Sequence, residues 1–170
     1  MRRRVVAGVS GSPGSLAVLH RGAAEARLRG AELWVVLAWQ APGGGLGSRT
    51  SSRDVLYPAC RAAAVERLRQ ALDGAFGAGG PGVTLAGQAV RGTPGAALVD
   101  AVRDADDLLV VGAGPRGPLL GALRPSVARY CLTHAPCPVL AVPPNPLEAQ
   151  LASAHRRNAW HVPLDTRELT

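Results

Sequence analysis

Five short apolar runs, each closed by turn residues and separated by stretches with helical spacing, constrain this chain more than any other feature. They are Val5–Val9, Leu33–Trp39, the weakly alternating Thr84–Val90, Leu108–Val111 and Val139–Val142. Strands that alternate like this with helices form parallel sheets, whose strands are buried on both faces and so carry no polar side. Between the runs, Leu16, Leu19, Ala23 and Ala26 recur at helical spacing within Gly14–Arg29, and Gly30 stands where a left-handed C-cap belongs. From Asp54 the series Leu56, Cys60, Ala64, Leu68 and Leu72 steps along one helical stripe until the glycine-rich stretch Gly74–Gly82 stops it. Thr93 as N-cap with Pro94 at the first helical position opens a third helix, whose buried face is Ala97, Leu98, Ala101 and Val102. Ser126–His134 is the last helix. The order predicts an α/β fold, a three-layer doubly wound five-stranded parallel sheet with right-handed crossovers and its loops gathered at the strand C-termini.

A chain of 170 residues fits one domain, and at that size roughly two-thirds of the unfolded surface is buried on folding. The 47% apolar content with only 4% aromatic is dominated by Ala, Val and Leu, side chains small enough to pack between helices and a buried sheet. The opening Met1-Arg2-Arg3-Arg4 runs into polar Ser10-Gly11-Ser12, which is not a signal-peptide pattern, and no apolar run is long enough to span a bilayer. A cytoplasmic protein without membrane contact is expected. Cys60, Cys131 and Cys137 are odd in number and lack C-x-x-C spacing, so they read as buried thiols and not as a disulfide framework or zinc site. Gln40–Arg53 is a long connection without periodicity. Beyond Pro143-Pro144 the composition turns polar, so 1–143 reads as the domain and 144–170 as an extension with a short helix at Leu147–Ala154.

Charge and side-chain chemistry exclude several functions. The chain has no lysine, which removes Walker-type P-loops, protein-kinase chemistry and Schiff-base catalysis. Its net charge of +7 invites a nucleic-acid reading, but the arginines are scattered, with Arg61, Arg67 and Arg69 on a helix among acidic residues, and no aromatics are interleaved for base stacking. No nucleic-acid partner is expected.

Ligands of open α/β sheets bind outside the strand C-termini, where the strand order switches. Three loops reach that edge: Ser10–Gly14, Trp39–Gly47 and Gly112–Ser126. The first strand with Gly11-Ser12-Pro13, together with Val36-Leu37-Ala38-Trp39, Arg91-Gly92-Thr93-Pro94, Asp107-Leu108-Leu109-Val110-Val111-Gly112 and His134-Ala135-Pro136-Cys137-Pro138-Val139, resembles the universal stress protein family in order and spacing over residues 3–143. The resemblance implies the fold of that family and of adenine nucleotide alpha-hydrolases, a stress-response role, and an ATP site built on G-x-x-G-x9-G-[ST] after the fourth strand. Glycines there let the backbone approach phosphates, and the following helix N-terminus offers N–H groups and its dipole. Aligned to that pattern, Gly112 and Ser126 are kept, but the second and third glycines fall on Pro115 and Pro125. A proline donates no N–H. The aspartate that ATP-binding members carry at the end of the first strand is replaced by Ser10, which cannot grip two donors as a carboxylate does. Arg116, Arg124 and Arg129 lie in or beside the loop, where guanidinium groups pair with anions.

The expected site is therefore Ser10, Gly11, Ala38, Gly112, Arg116, Arg124, Ser126 and Val127, a degenerate ATP site with a small-anion site at the Ser126 helix N-terminus. The expected function is a non-enzymatic regulatory binding protein that serves an unidentified protein partner, with ATP binding weakened or lost. A genuine ATP-binding member of the family is the alternative. An adenylating ATP-pyrophosphatase is a second, suggested by Ser10-Gly11-Ser12-Pro13-Gly14-Ser15, although the second glycine and the aspartate of S-G-G-x-D-S are missing. A dinucleotide enzyme fails because no acidic residue ends the second strand, where Trp39-Gln40 stand. His20 and Asp100 fall on helices away from the crevice, His134 at a helix C-terminus, and Asp106 and Asp107 at the opposite end of the sheet, so no catalytic constellation converges. The apolar last strand, Val139–Val142, is an expected edge, and homodimerisation along it is what the resemblance implies.

Overall fold

The strand β1 (Arg4–Val9) holds the centre of the sheet, and its Val5, Val6 and Ala7 are wholly buried. Consecutive apolar residues suit a strand with neighbours on both sides and helices on both faces. A computed structural model describes residues 3–11, 14–41, 53–114 and 126–143, with 53–56 described by backbone alone. It contains β2 (Glu32–Trp39), β3 (Leu85–Arg91), β4 (Leu108–Gly112) and β5 (Val139–Val142) in the order β3-β2-β1-β4-β5, every pair parallel. The chain builds outward from β1 through β2 to β3, then crosses back and builds β4 and β5 on the other side. The order reverses between β1 and β4, which is the switch point.

Residue parity decides what each strand buries, because alternate side chains face opposite ways. Ala7, Leu33, Val35, Leu37 and Val110 pack beneath α1 (Gly14–Arg29) and α2 (Arg53–Phe76). Val6, Val36, Leu109 and Val111 pack beneath α3 (Pro94–Ala101) and α4 (Val127–His134). Helix α1 lies close on the sheet at Gly22, where a methyl group would stand 3.2 Å from Leu33 Cδ1 and 3.3 Å from Ala7 Cβ. The helix ends as its sequence predicts: Gly30 has φ 59 and the Ala31 N–H donates to Ala26 O at 2.9 Å.

The differences from the sequence reading have local causes. Helix α2 begins at Arg53, which the sequence assigns to the connection, and it runs through Gly74 to Phe76 before a 3₁₀ turn at Gly77–Gly79. Leu72, Ala75 and Phe76 pack against the core, and this burial outweighs the roughly 1 kcal/mol that a glycine costs a helix. Thr93 takes the extended N-cap conformation before Pro94, but its side chain makes no capping hydrogen bond; its carbonyl accepts from the Ala97 N–H at 3.0 Å. The expected buried face of α3 is as predicted. Cys131 and Cys137 are buried, whereas Cys60 is only half-buried, and all three are free thiols. The extension 144–170 with its expected helix at Leu147–Ala154 and the connection 42–52 lie outside the described residues. No helix among the described residues is long and apolar enough to cross a membrane.

At the N-terminal edge, Asp107 is buried and organises the entry of two strands. Its Oδ1 accepts from the Arg4 N–H at 2.9 Å, and its Oδ2 accepts from the Arg103 and Asp104 N–H groups at 3.0 and 3.2 Å. One carboxylate thus ties the start of β1 to the turn between α3 and β4. The sequence places this residue correctly, away from the crevice, but without this role.

Candidate functional site

At the C-terminal edge of the switch, β1 stops because its next residues turn. The Ser15 hydroxyl, from the first turn of α1, accepts from the Ser10 N–H at 3.1 Å and lies 3.4 Å from Ser10 Oγ. This ties the loop back on itself. Gly11 follows with φ 76, a conformation that a side chain would strain. Val9 faces Leu37 at the end of the β1–β2 ladder, and Ser10 and Ala38 are the residues that follow them. Across the switch, Gly112 pairs with Val142 and Ala113 donates to Val142 O at 2.8 Å. Gly114 has φ 77. Ser10, Gly11, Ala38 and Gly112 lie at or just past the C-terminal ends of neighbouring parallel strands.

The end expected to take an anion is the start of α4. Ser126 is its N-cap, with extended backbone, and its Oγ accepts from the Arg129 N–H at 3.4 Å. Its carbonyl accepts from the Tyr130 N–H at 3.0 Å. Val127 is the first helical residue, so its N–H and that of Ala128 have no intrahelical acceptor and carry the positive end of the helix dipole. Arg116 and Arg124, the other two expected residues, lie outside the described residues, as do Pro115 and Pro125.

Charge is unevenly divided between the edges. The ion pairs among the described residues are Arg4–Glu32 at 3.8 Å, Arg21–Glu25 at 2.6 Å and Arg29–Glu25 at 3.4 Å, none of them at the crevice. Arg91, at the end of β3, stacks 4.2 Å from the Tyr57 ring centroid and donates to Tyr57 Oη at 3.1 Å. Arg67 on α2 lies against the β1–α1 loop: a methyl group at Gly11 would stand 3.6 Å from its Cβ and 3.9 Å from its Cδ. Arg67, Arg91 and Arg129 make no ion pair among the described residues.

The sequence reading treats Arg67 as one scattered arginine on a helix flanked by acidic residues. Its place beside Gly11 follows from how α1 and α2 pack, which no local pattern encodes. Trp39, one position beyond Ala38, is another residue that the reading does not assign to the site. It ends β2 with a buried indole N–H that has no hydrogen-bond partner among the described residues.

His20 lies within α1 and His134 at the end of α4. His20 meets Phe76 edge-on, with ring centroids 5.9 Å apart. His134 closes α4 and contacts Tyr130 O through Nδ1 at 2.9 Å.

A universal stress protein solved in complex with cAMP is 28% identical, with a TM-score of 0.60, covering 85% of this chain and 98% of its own. The universal stress protein UspA from Lactobacillus plantarum is 22% identical with a TM-score of 0.60, covering 83% of this chain and 97% of its own. A universal stress protein family member from Burkholderia pseudomallei is 23% identical with a TM-score of 0.57, covering 84% and 96%. No curated protein matched the sequence. The model of the universal stress protein family matches residues 1–143. The chain therefore belongs to the universal stress protein family.

Proposed function

We propose that this protein is a non-enzymatic binding protein that responds to a nucleotide with a single phosphate and holds ATP weakly. The observation that carries the reading is the start of α4, where Ser126 caps the helix and leaves the Val127 and Ala128 N–H groups for an anion at the switch point. The similar structure bound to cAMP supports a nucleotide with one phosphate. Pro115 and Pro125 stand in the sequence where the family's phosphate loop carries glycines. Each replacement removes an N–H, and losing two charged hydrogen bonds of roughly 1.5–3 kcal/mol each lowers affinity for a polyphosphate about a hundredfold or more.

Isothermal titration calorimetry with cAMP, AMP and ATP tests the reading. The expected result is mononucleotide binding, with ATP no tighter than AMP. Micromolar ATP binding at least about tenfold tighter than AMP, or turnover of ATP, would overturn it. The reading includes a homodimer formed along β5, an edge strand of the sheet. A monomeric mass by light scattering at micromolar concentration would remove that part.

A further inference from the structure

Helix α2 carries two stripes, and only one of them is needed to bury it. Tyr57, Cys60, Ala64, Leu68, Ala71 and Leu72 face the core. The second stripe, Pro58, Ala62, Val65 and Arg69, is spaced four, three and four residues apart; Pro58, Ala62 and Arg69 are exposed and Val65 is half-buried. Together with Arg61, Ala63 and Glu66 it lines a shallow hollow of about 610 Å³. The spacing is that of the d, a, d and a positions of a heptad, the seam along which one helix packs on another. Ala62 and Val65, at its centre, are small enough for a second helix to come close.

In the same heptad Arg61 falls at g and Glu66 at e, five residues on. Residues five apart on one helix diverge, and neither side chain makes an ion pair among the described residues; Glu66 Oε1 accepts from Gln70 Nε2 at 3.1 Å. Between two parallel helices the g residue of one meets the e residue of the other at this offset. A second copy of this chain supplies that match twice, because a two-fold axis along the helices repeats the contact of Arg61 with the partner's Glu66. We propose that α2 pairs with α2 of a second copy, parallel and in register, through this stripe. Arg69 then meets its own copy at an a position, and the like charges keep the pairing weak. The stripe is remote from the β5 edge: α2 packs against β3, where Leu68 and Leu72 meet Gly87, and β3 and β5 are the two ends of the sheet.

Sedimentation velocity of the full chain from micromolar to millimolar concentration tests it, for the wild type, Arg61→Glu, Glu66→Arg, the double charge swap and Arg69→Leu. The wild type should self-associate in the upper part of this range. Either single reversal sets like charges against each other twice and should weaken that step about tenfold, and the double swap should bring it back to within about threefold of the wild type. Arg69→Leu removes the like-charge meeting and completes the seam, so it should tighten the step about tenfold or more. Each substitution places a good helix former at an exposed position, so an unchanged melting temperature in dilute solution would show that the fold survives. Self-association that ignores the charge reversals runs through another surface, such as β5, and overturns the inference. A mass that stays constant with concentration in both the wild type and Arg69→Leu overturns it as well.

Discussion

At the N-terminal edge of the sheet the Asp107 carboxylate takes three backbone N–H groups, and Arg4, paired with Glu32, stacks 4.3 Å from the Trp34 ring centroid. At the C-terminal edge Gly11 and Gly114 take positive φ, a helix N-terminus faces the switch point, and Arg67 has no carboxylate partner among the described residues. The same strands supply both edges. The difference is that one edge satisfies its polar groups internally, and so stabilises, whereas the other leaves donors for something that arrives. Changes at the first should therefore alter stability without altering ligand affinity. Changes at the second should do the reverse, except where they displace α4.

The largest effect is expected at Asp107. Its replacement by alanine takes the acceptor from three half-buried N–H groups, and the loss should cost about 3 kcal/mol in all. Asp107→Asn should cost about half as much, since one acceptor oxygen survives. Urea denaturation measures both, with mononucleotide affinity as the control. A loss under about 1 kcal/mol for Asp107→Ala would break the view of this edge as a structural clamp.

Next comes a position that couples the edges. Gly95, buried in the first turn of α3, lies under Tyr130 of α4, and a methyl group there would stand 2.5 Å from Cδ1, 2.8 Å from Cγ and 3.1 Å from Cβ. Contacts so near the Tyr130 backbone require α4 itself to move. Gly95→Ala should destabilise by about 2 kcal/mol. It should also weaken mononucleotide binding, because Ser126 moves with α4. Adding Tyr130→Ala removes the clash, so the double variant should recover part of the loss in a double-mutant cycle.

These two sites show where the sequence is informative and where it is not. The bounds of α1 and β5 are legible because each is set by its own residues: spaced apolar positions closed by Gly30 in one case, a four-residue apolar run in the other. The run through Gly74 is not, because tertiary burial of Phe76 overrides a local helix breaker. The placement of Ser10, Gly11, Ala38, Gly112, Ser126 and Val127 at the strand C-termini and the start of α4 is legible because the alternation of strands and helices sets it. Arg67, Gly95 and Asp107 are not, since each matters through a partner distant in the chain: Gly11, Tyr130 and Arg4. The strand order belongs with them, as the return from β3 to β4 leaves no local mark.

A smaller effect should follow from Ser126→Ala. The bond from Arg129 N–H to Ser126 Oγ is long, 3.4 Å, so the loss of the cap should cost only about 0.5 kcal/mol, the low end for such positions. Mononucleotide affinity should fall about fivefold, the worth of one hydrogen bond. A large stability loss without an affinity change would place Ser126 with the structural edge instead.

The smallest effect concerns the pair of thiols beneath α4. Cys131 and Cys137 are both buried. Burial is the main cause pushing each thiol above its ordinary value of 9.0; Cys137 nearby raises Cys131 further, while a backbone hydrogen bond at Leu109 works against the rise at Cys137. The folded chain therefore holds these protons more tightly than the unfolded chain does. Their contribution to stability is complete below the unfolded thiol value and is lost as pH rises through it towards the folded value. Denaturation midpoints measured from about pH 8 to 10 should fall, and the fall should be shallower in a Cys131→Ala, Cys137→Ala variant. In the native protein a thiol reagent at neutral pH should modify the half-buried Cys60 first, with the other two reacting only as the chain unfolds. Rapid native labelling of Cys131 would mean that α4 lifts from the sheet, and the closed part of the molecule would then include less of α4 than its packing against β4 and β5 implies.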